Sequence, residues 1–300
     1  MTRPSVAFLA ITIAACGGNA ATPATTPDPA AATILDARTG APMSRDALLK
    51  RLKGADYALL GEVHDNPAQH RLRADLIAAS ASRKPAIVFE QFPWGEDSVL
   101  QTRPTAPIEP WLDRAGFDRN GWRWPMHQPL IDVAVQYDLP RYGSQLNREK
   151  LRSIMRGGAD AAPAPLAELM RKVPLSEAGG KALETTLAEG HCGELPAEMV
   201  PMMRNAQEVR DAAMTDAMFR ASADGHPAWL IAGNGHVRRD YGVPRFLTAL
   251  APAKTSVVVG FLEREPDGAL PSEAERAVYD VVWITERAER EDPCKAFRRP

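Results

Sequence analysis

The stretch Tyr57-Ala58-Leu59-Leu60-Gly61-Glu62-Val63-His64-Asp65-Asn66-Pro67-Ala68-Gln69-His70 runs from four apolar residues through a glycine into a polar turn and then a helix start. That order predicts strand, loop, helix. In a parallel α/β sheet, ligands bind at loops leaving the carboxyl ends of strands, so Glu62, His64, Asp65 and Asn66 stand where chemistry is expected. The pattern recurs in Trp229-Leu230-Ile231-Ala232-Gly233-Asn234-Gly235-His236, where Gly-x-x-His again follows an apolar run. Two such turns in one sheet predict one shared site.

Working outward, Ala86-Ile87-Val88-Phe89-Glu90 is an uninterrupted apolar run closed by an acid, as expected of a strand covered on both faces. Carboxylates are seldom buried without partners, so Glu90 is expected beside Glu62 and His64, or else as a helix cap. Further strands are predicted at 34–36, 139–146, 255–261 and 278–284. Helices are predicted from Ser44 to Gly54, from Pro67 to about Ser82 with His70 in its first turn, over 131–137, from Glu149, and over 243–250. Asn147 and Arg148, at the end of a predicted strand, are expected to face the site. The result is an α/β fold, a mainly parallel sheet flanked by helices, with a helical insertion at about 157–220 in the second half. Within that insertion Met199, Met202, Met203, Met214 and Met218 read as core, or as a lid touching an apolar ligand. Phe92 to Leu130, with Trp94, Trp111, Trp122 and Trp124, reads equally as the mouth of a site or as ordinary packing. His127 and His226 read as surface or loop histidines.

The N-terminus is compositionally distinct. A short, weakly positive start precedes an apolar stretch, Val6 to Ala15, too short to span a bilayer and typical of an export signal. Ile13-Ala14-Ala15-Cys16 resembles the lipobox of bacterial lipoproteins, so residues 1–15 are expected to be a signal peptide and Cys16 a lipidated residue; the other reading is a plain secretory signal. By resemblance to bacterial sorting rules, Gly17 points to the outer membrane. Residues 16–32, rich in Ala, Thr and Pro, fit a flexible tether, leaving 33–300 as the folded domain. Of the three cysteines, Cys192 and Cys294 remain, and an oxidising compartment predicts a disulfide between them, two unpaired thiols being the alternative. A formal net charge of −2 supplies no field for a polyanion and argues against nucleic acid as a partner.

Taken together, G61-E-V-H64-D-N with His70, F-E90, L-N147-R, H-C-G, M-R-N-A-Q-E-V-R-D and G-N-G-H236-V-R-R-D-Y-G-V-P resemble the ChaN-type haem-binding lipoproteins over roughly residues 34–285. The wider group includes Tiki/TraB-type proteins and erythromycin esterases. The resemblance implies an outer-membrane lipoprotein of haem or iron uptake that binds haem between the two protomers of a homodimer, with tyrosine as iron ligand. Of Tyr57, Tyr137, Tyr142, Tyr241 and Tyr279, Tyr241 is the best placed for the cofactor-binding set, with Arg238 and Arg239 as propionate partners; the other reading is a tyrosine packed under the last loop with solvated arginines. The absence of C-x-x-C-H excludes covalent c-type attachment, so haem would be held reversibly. The residues themselves support another reading. Glu62, His64, Glu90 and His236 on adjacent strand ends form a divalent-metal or acid/base set, the equipment of a metal-dependent hydrolase.

Overall fold

The computed structural model describes residues 33–296; the expected signal peptide, Cys16 and the tether lie outside the described residues. Seven strands, β1 (Thr33–Asp36), β2 (Tyr57–Leu60), β3 (Ala86–Pro93), β4 (Arg141–Gln145), β5 (Ala228–Ile231), β6 (Ser256–Glu263) and β7 (Val281–Thr285), form one sheet. Their order is β1-β7-β6-β2-β5-β3-β4, and every pairing is parallel except that of β1 with β7. The α/β expectation holds.

Alternation along each strand divides the core into two layers. Ala58, Leu60, Ile87, Phe89, Trp229, Ile231, Phe261 and Trp283 pack on one face against helices Arg45–Gly54, Pro67–Ser80 and Gln128–Gln136. On the other face Tyr57, Leu59, Val88, Leu230 and Val258 meet Met214, Ala217, Met218 and Ala221 of helix Val200–Ala223. Met214 and Met218 are therefore core. Helices Arg148–Gly157, Ala164–Lys172 and Glu177–Gly190 build out from that second layer, the first of them starting one residue before the expected Glu149. The first two share a core that joins Leu146, Ile154, Leu166 and Met170 to Val209 and Phe246.

Helix starts follow local chemistry. Ser44, Asn66, Asn147 and Ser176 each accept a backbone N–H of the following first turn, a contact worth about 1 kcal/mol per helix. Helix Gln128–Gln136 starts three residues earlier than expected, because first-turn N–H groups have no acceptor within the helix and Pro129, which lacks one, loses no bond there.

The decisive topological fact is the position of β5. It lies between β2 and β3, with Ile231 opposite both Leu60 and Phe89. The turns after β2 and β5 and the end of β3 thus emerge level with one another. At the far end of the chain, Cys192 and Cys294 form the expected disulfide, with a Cα–Cα distance of 5.6 Å.

Candidate functional site

The two Gly-x-x-His turns interlock at the carboxyl edge of the sheet. Asn234 N–H donates to the Glu62 carbonyl at 2.9 Å. A Cβ on Gly61 would meet Asn234 Oδ1 at 2.1 Å, and one on Gly233 would meet His64 Nε2 at 2.8 Å. Each turn's glycine therefore makes room for a side chain of the other. Asn234 itself is committed to β6, donating to Phe261 O at 2.6 Å and accepting from Phe261 N at 3.1 Å.

In the first turn Glu62 is buried, and His64 Nδ1 donates to its Oε1 at 2.7 Å. A carboxylate there fixes the proton on Nδ1 and leaves the Nε2 lone pair free. Glu62 is neutralised by the buried guanidinium of Arg73, and His70 Nδ1 lies 3.1 Å from its Oε2. His70 donates through Nε2 to the His64 carbonyl at 3.1 Å and accepts from Arg73 at 2.9 Å. Burial pushes the His70 imidazole down to about 4, so it is neutral. His127 completes the group. Burial first, and then the Arg73 charge, hold it far below the ordinary imidazole value. Its Nδ1 donates to Trp122 O at 3.1 Å, so the lone pair of Nε2 faces Glu62 Oε1 at 3.4 Å. Two acceptors facing each other across that gap suit a shared cation, and Glu62, His64 and His127 place one ligand atom each within 4.8 Å of the others.

In the second turn the partners come from other elements. His236 is buried, with Nδ1 2.6 Å from Asp211 Oδ1 on helix Val200–Ala223 and 2.9 Å from Gln207 Nε2. Its Nε2 lies 3.5 Å from Glu90 Oε1, and His64 Nε2 approaches the same oxygen at 4.0 Å. Glu90 Oε2 accepts the Gly233 N–H at 2.7 Å. Burial alone would lower His236, but the Glu90 charge and the Asp211 hydrogen bond overcome it and push the imidazole up to about 9. Burial would likewise raise Glu90, yet the two histidines and the Gly233 N–H hold it well below the usual carboxylate range.

Both histidines are thus oriented by a carboxylate on Nδ1 and present Nε2 toward Glu90. Glu90 Oε1 thus faces both Nε2 atoms, at 4.0 Å from His64 and 3.5 Å from His236. Beside this group lies a cavity of about 730 Å³ lined by Val63, His64, Asp65, Trp122, Arg123, Arg210 and Met214 among others. Trp122 meets the His64 ring edge-on at 5.3 Å. The tryptophan-rich segment does both things expected of it, since Trp111 is core while Trp122 faces the cavity.

Four predicted residues, Glu62, His64, Glu90 and His236, come together, with His70 behind them. Others do not. Asn147 is an exposed cap on Lys150 N, and Arg148 pairs at the surface with Asp118 at 3.0 Å. Tyr241 is only 1% exposed, with Arg238 stacked 4.7 Å from its ring centre. Arg238 pairs with Asp240 at 2.7 Å, and Arg239 pairs with Asp280. None of these three lines the cavity, because the chain turns down under helix Glu177–Gly190 directly after the second turn. His127, read as a surface or loop histidine, is a buried member of the cluster. Arg73 and Asp211 were missed as well; Asp211, three and seven residues before Met214 and Met218, carries a detectable signal as an acid on an apolar helical stripe.

The fold has known counterparts. ChaN of Campylobacter jejuni, whose structure is described as cofacial haem binding to ChaN, aligns at 20% identity over 84% of this chain and 96% of that chain, with a TM-score of 0.69. The type III effector HopBA1 aligns at 13% identity over 81% of this chain and 93% of that one, with a TM-score of 0.43. An open-conformation mutant of erythromycin esterase aligns at 14% over 88% and 85%, with a TM-score of 0.39. Scores this low carry no functional weight. No curated protein matches significantly. The sequence matches the family described as "Haem-binding uptake, Tiki superfamily, ChaN" over residues 48–247, two thirds of its length, and the chain belongs to that family.

Proposed function

We propose that this chain binds haem reversibly and takes part in haem or iron uptake, anchored to the outer membrane by lipid on Cys16. Membership of the ChaN family over residues 48–247 is the observation that carries this reading. The cavity suits such a cargo: Trp122, Val63 and Met214 offer apolar surface to a macrocycle, and Arg123 and Arg210 offer cations to its acidic edge. None of the five tyrosines is among its lining residues. A tyrosine ligand would therefore come from outside this cavity, and a site shared between two protomers of a homodimer is consistent with that. A haemin titration of the full chain tests the reading: a saturable Soret shift supports it, and its absence refutes it. Cys16→Ala should move the protein from the membrane to the soluble fraction; unchanged sedimentation removes the anchor.

The convergence of His64 and His236 on Glu90 favours a second reading, a metal-dependent hydrolase. His64, His236 and Glu90 would hold a divalent ion such as zinc, with Glu62 and Asp211 orienting the imidazoles. A bound metal supplies Lewis acidity and lowers the pKa of water. Stoichiometric metal in the purified protein, lost in His64→Ala together with His236→Ala, supports this reading; metal-free protein that takes up none on dialysis refutes it.

A further inference from the structure

The cavity is unevenly charged. Its carboxylates are matched: Glu90 accepts from Gly233 N–H and faces His236, and Asp65 receives the Arg290 guanidinium at 3.1 Å. Its guanidiniums are less so. Arg123 reaches Asp65 only at 3.9 Å, and its side chain is 68% exposed. Arg210 forms no ion pair with any of the described residues, although it lines the cavity from helix Val200–Ala223. Met214 follows it by four residues, on the same helical face and the same cavity wall. Trp122 precedes Arg123 on the wall formed by the tryptophan-rich segment. Each underused cation therefore has a large apolar neighbour in the cavity. That pairing matches a flat apolar ligand with two acidic arms.

We infer that Arg123 and Arg210 receive the two carboxylates of a planar dicarboxylate, the propionates if the cargo is haem, while Trp122 and Met214 contact its ring. This rests on the haem reading above and assigns its specificity to residues other than Arg238 and Arg239. Those two are each matched by an aspartate, Asp240 and Asp280, and do not line the cavity. Arginine suits the role because its planar fork meets a carboxylate through two parallel charge-assisted hydrogen bonds.

The test titrates haemin and haemin dimethyl ester, followed at the Soret band, into the full chain and into the variants R123M, R210M and R210K. Each methionine variant should weaken haemin binding by about tenfold, and lysine at 210 should restore part of the loss. The ester should bind the unmodified chain more weakly than haemin and be insensitive to either substitution. If haemin fails to bind the unmodified chain, both the haem reading and this inference fall. If haemin binds the chain and both methionine variants alike, or the ester binds as tightly as the acid, haem binding stands and the arginines lose this role. Thermal unfolding of each variant is measured alongside. Should R210M not fold, R123M and the ester comparison decide, because the Arg123 side chain is exposed.

Discussion

In the turn after β2, the acid that orients His64 comes from the turn itself, and Arg73 neutralises it from the following helix. In the turn after β5, the acids come from β3 and from a helix 25 residues upstream, and the histidine is itself the neutralising cation. The first arrangement leaves its histidine half-exposed beside a cavity; the second buries it between two carboxylates. One spacing thus serves two electrostatic designs. Gly-x-x-His fixes where the imidazole stands, and the neighbours fix its charge.

The largest expected difference is in stability. Arg73→Met leaves Glu62 buried without its cation and should cost about 3–5 kcal/mol in urea unfolding. A loss below about 1 kcal/mol would mean that charge does not hold the first turn. The glycines come next. Gly61→Ala drives a Cβ into Asn234, which clamps β6, and should cost about 1–3 kcal/mol. Gly233→Ala meets only the end of the half-exposed His64 ring, which can rotate away. It should therefore cost less than Gly61→Ala, and equal costs would break the distinction.

Imidazole titration by NMR, on chelator-treated protein, reads the two charge states directly. His236 should keep its proton until about pH 9, and His70 should stay neutral down to about pH 4. The signs follow from linkage. The raised His236 contributes stability fully below the ordinary imidazole value of 6.5 and loses it as pH rises through about 9. The depressed His70 contributes above 6.5 and loses it as pH falls through about 4. Both titrating near 6.5 would erase the comparison. The smallest stability effect belongs to His64→Ala, within about 0.5 kcal/mol, since its side chain is half-exposed. A larger loss would show that His64 is structural like His236.

Much of this was legible in the chain. Apolar runs ending in glycine or acid located β2, β3 and β5, and the cysteine count gave the disulfide. What sequence order does not express is that β5 enters between β2 and β3, after more than eighty intervening residues beyond β4. Arg73 was hidden because a charged residue on a helix ordinarily faces water; here it, like Asp211, is buried by a partner contributed from another element. Tyr241, Arg238 and Arg239 show the opposite failure. Closeness in sequence to His236 suggested a common face, but the backbone turns away, and burial and the two aspartates account for all three.

The bond between Cys192 and Cys294 also has a topological consequence. With a sequence separation of 102, it closes a covalent ring containing helix Val200–Ala223, β5, β6 and β7. His236 and Asp211 ride inside that ring; Glu62, His64 and Glu90 lie on the open chain before it. A single protease cut inside the ring would leave the two pieces covalently joined until a reductant is added. In the unfolded chain the ring restricts the half that carries the second turn, an entropic effect of about 4–5 kcal/mol for a loop near this length.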